Sequence, residues 1–167
     1  SEIFYSDYQW QKNLKQYGLR VTIGTTNEFV RASGGLFGSA TRLNNALYSQ
    51  LDKKHGRLNI SLGARYENFT LKELKEEGED GKLISVGRPI FRTGLNYQLA
   101  KATYIRGSWG QGYRFPSMAE LFIKTDVSGL RIYPNPELKP ENGWSAEIGL
   151  KQAIKIKNWM GYVDLAG

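Results

Sequence analysis

Apolar and polar residues alternate along most of this chain. The longest run is Arg57 to Thr70, with Leu58, Ile60, Leu62, Ala64 and Tyr66 on one face and Asn59, Ser61, Gly63, Arg65 and Glu67 on the other. A period of two is that of an extended strand, whose successive side chains point to opposite faces. The pattern recurs. Tyr17, Leu19, Val21 and Ile23 alternate with polar or glycine positions, as do Phe91, Thr93, Leu95 and Tyr97. Trp144, Ala146, Ile148 and Leu150 do so again, and Ile105, Gly107 and Trp109 once more. Each run predicts a strand with one apolar face.

On this basis the chain holds about eight strands. They lie near 2–11, 17–27, 45–54, 57–71, 84–99, 102–113, 142–153 and 157–167. Short turns are expected at Asn13–Gln16, Lys53–Gly56, Leu99–Lys101 and Ile154–Ile156, and long loops at Glu28–Asn44, Lys72–Lys82 and Arg114–Glu141. Short and long connections therefore alternate. An outer-membrane barrel has short turns on its periplasmic rim and long loops outside, whereas a soluble sandwich mixes its loop lengths. The fold expected is all-β, with antiparallel up-and-down strands forming part of an outer-membrane β-barrel.

Alternation by itself fits two orientations. In a soluble barrel or sandwich the apolar face packs a core and the polar face meets water. In a membrane barrel the apolar face meets lipid, and the polar face, here Arg20, Arg65, Arg92, Arg106, Glu67, Glu147 and Lys151, lines the lumen. Tyr17, Tyr66, Tyr97, Trp144 and Trp159 suit interfacial girdles; the same rings also serve as ordinary β-formers.

Composition narrows the function classes. No run of 18 apolar residues exists, which excludes a transmembrane helix but not a barrel. Cysteine is absent and there is one histidine, His55, in the turn Lys53-Lys54-His55-Gly56. A thiolate or multi-histidine metal site is thereby excluded. The net charge is +7, yet the basic residues are dispersed along strands and turns, so no nucleic-acid partner is expected. No nucleophile elbow, metal cluster or phosphate loop occurs, and the chain is not expected to be an enzyme or to hold a cofactor. The start carries no signal peptide and the end reads as mid-strand, so a fragment of a longer secreted precursor is expected.

Two loops carry the remaining signals. Lys72–Lys82 is a charge run whose Asp80-Gly81 suits a type I′ hairpin tip, and its carboxylates lack calcium-loop spacing. In Arg114–Glu141, Ser117-Met118-Ala119-Glu120 is a capping-box pattern, predicting a turn or two of helix after Pro116. Tyr133-Pro134-Asn135-Pro136 is a rigid extended turn.

Here a resemblance enters. Ser108 to Ser117 (SWGQGYRFPS), Glu120-Leu121-Phe122, Asn135 to Glu141 (NPELKPE) and Trp144 to Lys151 (WSAEIGLK) together resemble the barrel of TonB-dependent receptors. Residues 46–50 and 62–67 resemble that family's strands as well. The resemblance implies a parent barrel of roughly 22 strands with an N-terminal plug in its lumen. Residues 1–167 would supply a part of it, without the plug. It further implies import of a scarce ligand, such as an iron-siderophore, haem or cobalamin, driven through TonB, in the outer membrane of a bacterium with lipid as partner. Haem-receptor relatives place a His in the loop between such motifs. This loop has none, though Tyr133 has the chemistry to ligate ferric haem. Arg114, Arg131 and Tyr133 are the candidate ligand contacts at the mouth. The alternative roles are structural: Arg114 pairing with a loop carboxylate and Tyr133 packing the loop. The competing reading of the whole is a small structural or adhesive outer-membrane barrel, closed at eight strands.

Overall fold

The computed structural model describes residues 1–34, 38–74, 81–123, 125–127, 129–135 and 137–167. Eight long strands form one antiparallel sheet: β1 (Glu2–Leu14), β2 (Leu19–Gly34), β3 (Gly38–His55), β4 (Leu58–Leu74), β5 (Leu83–Ala100), β6 (Thr103–Arg114), β9 (Glu141–Ile156) and β10 (Trp159–Ala166). Each strand lies beside its neighbour in the chain. The sequence of strands is broken only between β6 and β9, where a short helix α1 (Met118–Phe122) and a small hairpin, β7 (Thr125–Val127) with β8 (Leu130–Ile132), are inserted. Among the described residues β1 pairs only with β2 and β10 only with β9. The sheet they form is open, with a free edge on each side.

Register decides which side chains share a face. Leu62 faces Leu51 on β3 and Thr93 on β5; Ile60 faces Leu95, which faces Gly107. Extending the pairing places Trp10, Ile23, Phe29, Leu43, Leu47, Phe91, Trp144, Ile148 and Leu165 on that face too. These side chains are exposed, Ile148 to 69 % and Trp144 to 72 %. An apolar surface spread over eight strands and left uncovered is far larger than water tolerates on a soluble monomer. The opposite face carries Arg20, Arg65, Arg92, Arg106, Glu67 and Glu147, as the alternation requires.

The turns on one rim are tight. A single 3-10 turn, Lys15–Tyr17, joins β1 to β2 and ends at Gly18, whose φ is 56°. A side chain there would run into the Lys54 carbonyl oxygen, so the position needs glycine for its space as well as its φ. Residues 56–57, 101–102 and 157–158 make the other three turns. Tyr17, Tyr97 and Trp159 lie at this rim, and Trp144 lies near the other end of its strand.

The expected loop Glu28–Asn44 is mostly strand. β2 and β3 stay paired out to Gly34 and Gly38. Side-chain alternation fades there, through Ala32, Ser33, Ser39 and Ala40, but backbone pairing needs no side-chain pattern, and an ion pair between Glu28 and Arg42 crosses the two strands. The four strands β2–β5 have 16, 18, 17 and 18 residues. At about 3.3 Å per residue they are longer than tilted strands need to cross a ~30 Å hydrocarbon layer. Asp80, expected at a hairpin tip, lies outside the described residues, as does Pro136 of the extended turn.

Buried apolar packing is concentrated in one place. Ala40, Phe69, Leu71, Leu121 and Phe122 form a cluster, with Ile84, Phe115 and Met118 against it. Phe69 and Leu71 lie on the polar face of β4, two and four residues beyond Glu67. The segment after β6 thus folds inward, over the inner wall at the long-loop end, instead of out into solvent.

Candidate functional site

The inward fold begins at Arg114, the last residue of β6. Pro116 stops the strand, since it lacks a backbone donor. Ser117 then caps α1. Its hydroxyl accepts from the Glu120 amide at 3.2 Å, while the Glu120 carboxylate accepts from the Ser117 amide at 2.7 Å. This is the capping box expected from the sequence, with both halves present. The short helix turns Leu121 and Phe122 to the wall, where they are 0 % and 7 % exposed. Phe115 stacks on Phe69 with ring centroids 3.6 Å apart.

Arg114 ties this root down. Its Nη1 and Nη2 donate to the two Glu120 oxygens at 3.0 and 2.9 Å, a bidentate fork. Its Nε and Nη2 also donate to Glu141 at 3.3 and 3.1 Å. Glu141 is the first residue of β9, directly opposite Arg114 in the ladder. One guanidinium therefore joins the exit of β6, the helix and the entry of β9. Planar fork geometry suits arginine to this, and lysine does not reproduce it. The paired guanidinium pulls the Glu120 carboxyl down to about 2, helped by its bond from the Ser117 amide. The structure shows Arg114 paired with two carboxylates.

Below the root the inner wall is polar and cross-linked. Arg65 donates to Thr26 at 2.9 Å and pairs with Glu67 at 3.4 Å; Asn44 donates to Glu67 at 2.6 Å. The Tyr113 hydroxyl lies beside the same carboxylate. Tyr48 reaches Asp7 and Gln9, each at 3.2 Å, and Tyr5 reaches Asp7 at 3.3 Å. Arg106 joins Glu147 and Asp164 at 3.3 and 3.2 Å. Between wall and root is a recess of about 430 Å³, lined by Arg42, Arg65, Glu67, Phe69, Arg92 and Phe115 among others. Among the described residues Arg88 and Arg92, on the inner face of β5, make no ion pair.

Arg131 and Tyr133 sit further out. Arg131 is in β8 and pairs with Asp126 of β7 at 3.1 Å. Tyr133 follows β8 and is 65 % exposed. The three residues singled out from the sequence thus fall in two places: Arg114 at the root, Arg131 and Tyr133 on the outer arm of the same connection. Sequence reading missed Phe69 and Leu71 as the seat of the loop, although the break in alternation after Glu67 marks them. It also missed Glu141 as a partner of Arg114. Among the described residues no three His, Cys, Asp or Glu side chains converge as metal ligands.

No curated protein sequence matches the chain at a significant level. Several solved structures share its fold, two of them a receptor and a transporter. The Serratia marcescens hemophore receptor HasR, solved as a double mutant in complex with its hemophore HasA and heme, superposes with a TM-score of 0.77 at 15 % identity, covering 98 % of this chain and 32 % of that one. The copper transporter OprC superposes with a TM-score of 0.70 at 14 % identity, covering 98 % and 29 %. The chain thus spans about a third of the length of each. The TonB-dependent receptor-like β-barrel family model matches residues 2–167, and this chain belongs to that family of outer-membrane receptors and transporters.

Proposed function

We propose that the chain forms part of the wall of a bacterial outer-membrane importer that takes up a scarce small-molecule ligand, an iron complex being the favoured cargo. The observation that carries this reading is the sidedness of the sheet. Its outer face is apolar and uncovered, its inner face is charged and hydrogen-bonded, and a connection folds over the inner face at one end. A lipid-facing barrel around a polar lumen has this arrangement. Lipid is the partner of the outer face. TonB and a plug domain would act through the full-length protein.

For the cargo, an inner wall on which Arg88 and Arg92 stand outside the ion pairs of the described residues suits an anionic chelate. One fold neighbour was solved with heme and the other is a copper transporter, so both belong beside ferric chelates in the set to be tried. Arg114, Arg131 and Tyr133 are the proposed ligand contacts, and Arg114 also anchors the loop that carries the other two. The free edges of β1 and β10 favour a larger barrel over a small structural or adhesive one closed at eight strands.

The test is growth and uptake in a strain lacking the parent gene, with and without the gene restored, using ferric chelates, haem, copper and cobalamin as probes. Loss on a ferric chelate alone, rescued by the restored gene, is the expected result. Unimpaired growth and uptake on every probe in the deletion strain would contradict the importer reading.

A further inference from the structure

We infer that the short-turn rim of this sheet is a docking surface for anionic phospholipid, of the phosphatidylglycerol or cardiolipin kind, in the leaflet that faces the periplasm. The inference rests on the lipid-facing reading of the outer face and needs no knowledge of the cargo.

The basic residues look dispersed along the sequence, but the up-and-down topology gathers eight of them. The four short turns with their flanks are residues 12–18, 53–58, 99–103 and 154–159. They hold eight of the chain's 23 Lys and Arg and none of its 16 Asp and Glu. Outside these segments acid and base nearly balance, so the net charge of +7 is a property of one rim. Lys15, Lys54, Arg57, Lys101 and Lys157, at or beside the tips, are all exposed. Among the described residues no ion pair includes any of the eight. The adjoining carboxylate, Asp52, is turned to the lumen side. It faces Arg20 across the β2–β3 ladder and accepts from Ser61 at 2.5 Å and Gln50 at 2.9 Å.

The depth of these cations favours lipid headgroups over a partner further out. Three of the turns have only two residues, 56–57, 101–102 and 157–158. At about 3.3 Å per residue such turns cannot carry a charge far beyond the last strand pair. Tyr17 and Trp159, 59 % and 60 % exposed, lie at the same level, where rings mark the edge of the hydrocarbon. Two of the cations stand on the apolar face itself: Lys12 opposite Val21, and Lys53 opposite Leu19 and Ile60. A lysine on a lipid-facing surface lays its stem along apolar neighbours and brings its ammonium to the headgroup layer. Cations at that depth attract anionic lipid within a Debye length.

Spin-labelled lipids test this in the full-length protein, reconstituted in phosphatidylcholine vesicles. The motionally restricted part of the spectrum reports lipid in contact with the protein. At low salt, labelled phosphatidylglycerol should be held over labelled phosphatidylcholine by roughly two- to fivefold, the upper figure being what about one Lys or Arg at an anionic surface contributes. Added salt should reduce the preference. Combining Lys15→Gln, Lys54→Gln, Arg57→Gln, Lys101→Gln and Lys157→Gln should bring it close to one. If that variant does not assemble, Lys101→Gln with Lys157→Gln should lower it in part. Arg31→Gln with Lys72→Gln, at the other end of the strands, should leave it unchanged. Equal retention of the two lipids by the unmodified protein would overturn the inference. So would a preference that survives the rim substitutions, or one that is lost with Arg31 and Lys72 instead. Rim variants that lose binding to purified peptidoglycan while keeping their lipid preference would assign the rim to the cell wall and overturn it too. Failure of the lipid-facing reading looks different, since it leaves no restricted lipid at all, and none of these outcomes touches uptake.

Discussion

The ring of Phe115 lies on the ring of Phe69, with centroids 3.6 Å apart and planes inclined by 24°. One residue belongs to the connection after β6 and the other to the inner face of β4, so the pair fastens a loop to a wall. The contact buries apolar ring area on both sides. Truncating a buried Phe to Ala costs about 3–5 kcal/mol. Phe69→Ala should therefore lower the local opening free energy of residues 115–123 by a similar amount and leave the strand ladder intact. Hydrogen exchange resolved by peptide checks this: faster exchange confined to the loop is expected, and equal acceleration throughout β4 would contradict it.

Acid should release the same root, at a pH set by Glu120. Its folded carboxyl titrates at about 2, below its ordinary value of 4.5. A carboxyl with a depressed folded value contributes stability above its unfolded value and loses it as pH falls through the folded one. Protease sensitivity of the root should stay flat from neutral pH down to about 5 and rise between 4.5 and about 2. Glu120→Gln should reduce that acid-dependent rise and leave the part due to Glu141, which the same guanidinium also holds below its ordinary value. A release centred near pH 6 would rule out Glu120 as the group responsible.

Glycines on the inner face differ in what they allow. Gly24 is buried opposite Tyr48, and a Cβ there would overlap that ring. The Tyr48 hydroxyl is held by Asp7 and Gln9, so the ring cannot yield freely. Gly112 has nothing within 4 Å of the same added atom. Gly24→Ala should destabilise the barrel by about 1–3 kcal/mol through overpacking, and Gly112→Ala should stay within about 0.5 kcal/mol. Urea unfolding of the refolded parent protein in lipid vesicles measures both.

Neighbouring residues on β4 should respond oppositely to charge. Leu62 is on the apolar face and half exposed, and Ser61 is on the polar face beside Asp52 and Gln50. Arginine facing the bilayer midplane costs about 2–4 kcal/mol. Leu62→Arg should show a cost of that order in the same unfolding measurement. Ser61→Arg should show little, since its side chain enters the lumen and meets a carboxylate.

The strands and their faces were legible because a sheet with one apolar and one polar face repeats one two-residue rule, and Leu58 to Tyr66 states it without a break. The extension of β2 and β3 was not. Ala32, Ser33 and Ala40 carry no alternation, and the ladder there is a backbone matter. α1 was legible because Ser117 and Glu120 are three residues apart and bond reciprocally. The second duty of Glu120 was hidden, since nothing local says that Arg114 turns back to it. Glu141 is 27 residues from Arg114 and meets it only through the β6–β9 ladder. Phe69 and Leu71 were missed, although apolar residues in polar positions break the period where the loop docks.

The sidedness of the sheet underlies every one of these points, and it has a direct measurement. Single nitroxide labels placed in turn at residues 58 to 66 of the full-length protein, in bilayers, report collision with oxygen, which concentrates in lipid, and with a water-soluble nickel chelate. Oxygen accessibility should peak at Leu58, Ile60, Leu62, Ala64 and Tyr66 and fall at Asn59, Ser61, Gly63 and Arg65, with the chelate showing no matching peaks at the first set. An absence of alternation, or chelate peaks at the apolar positions Ile60 and Leu62, would contradict a lipid-facing wall.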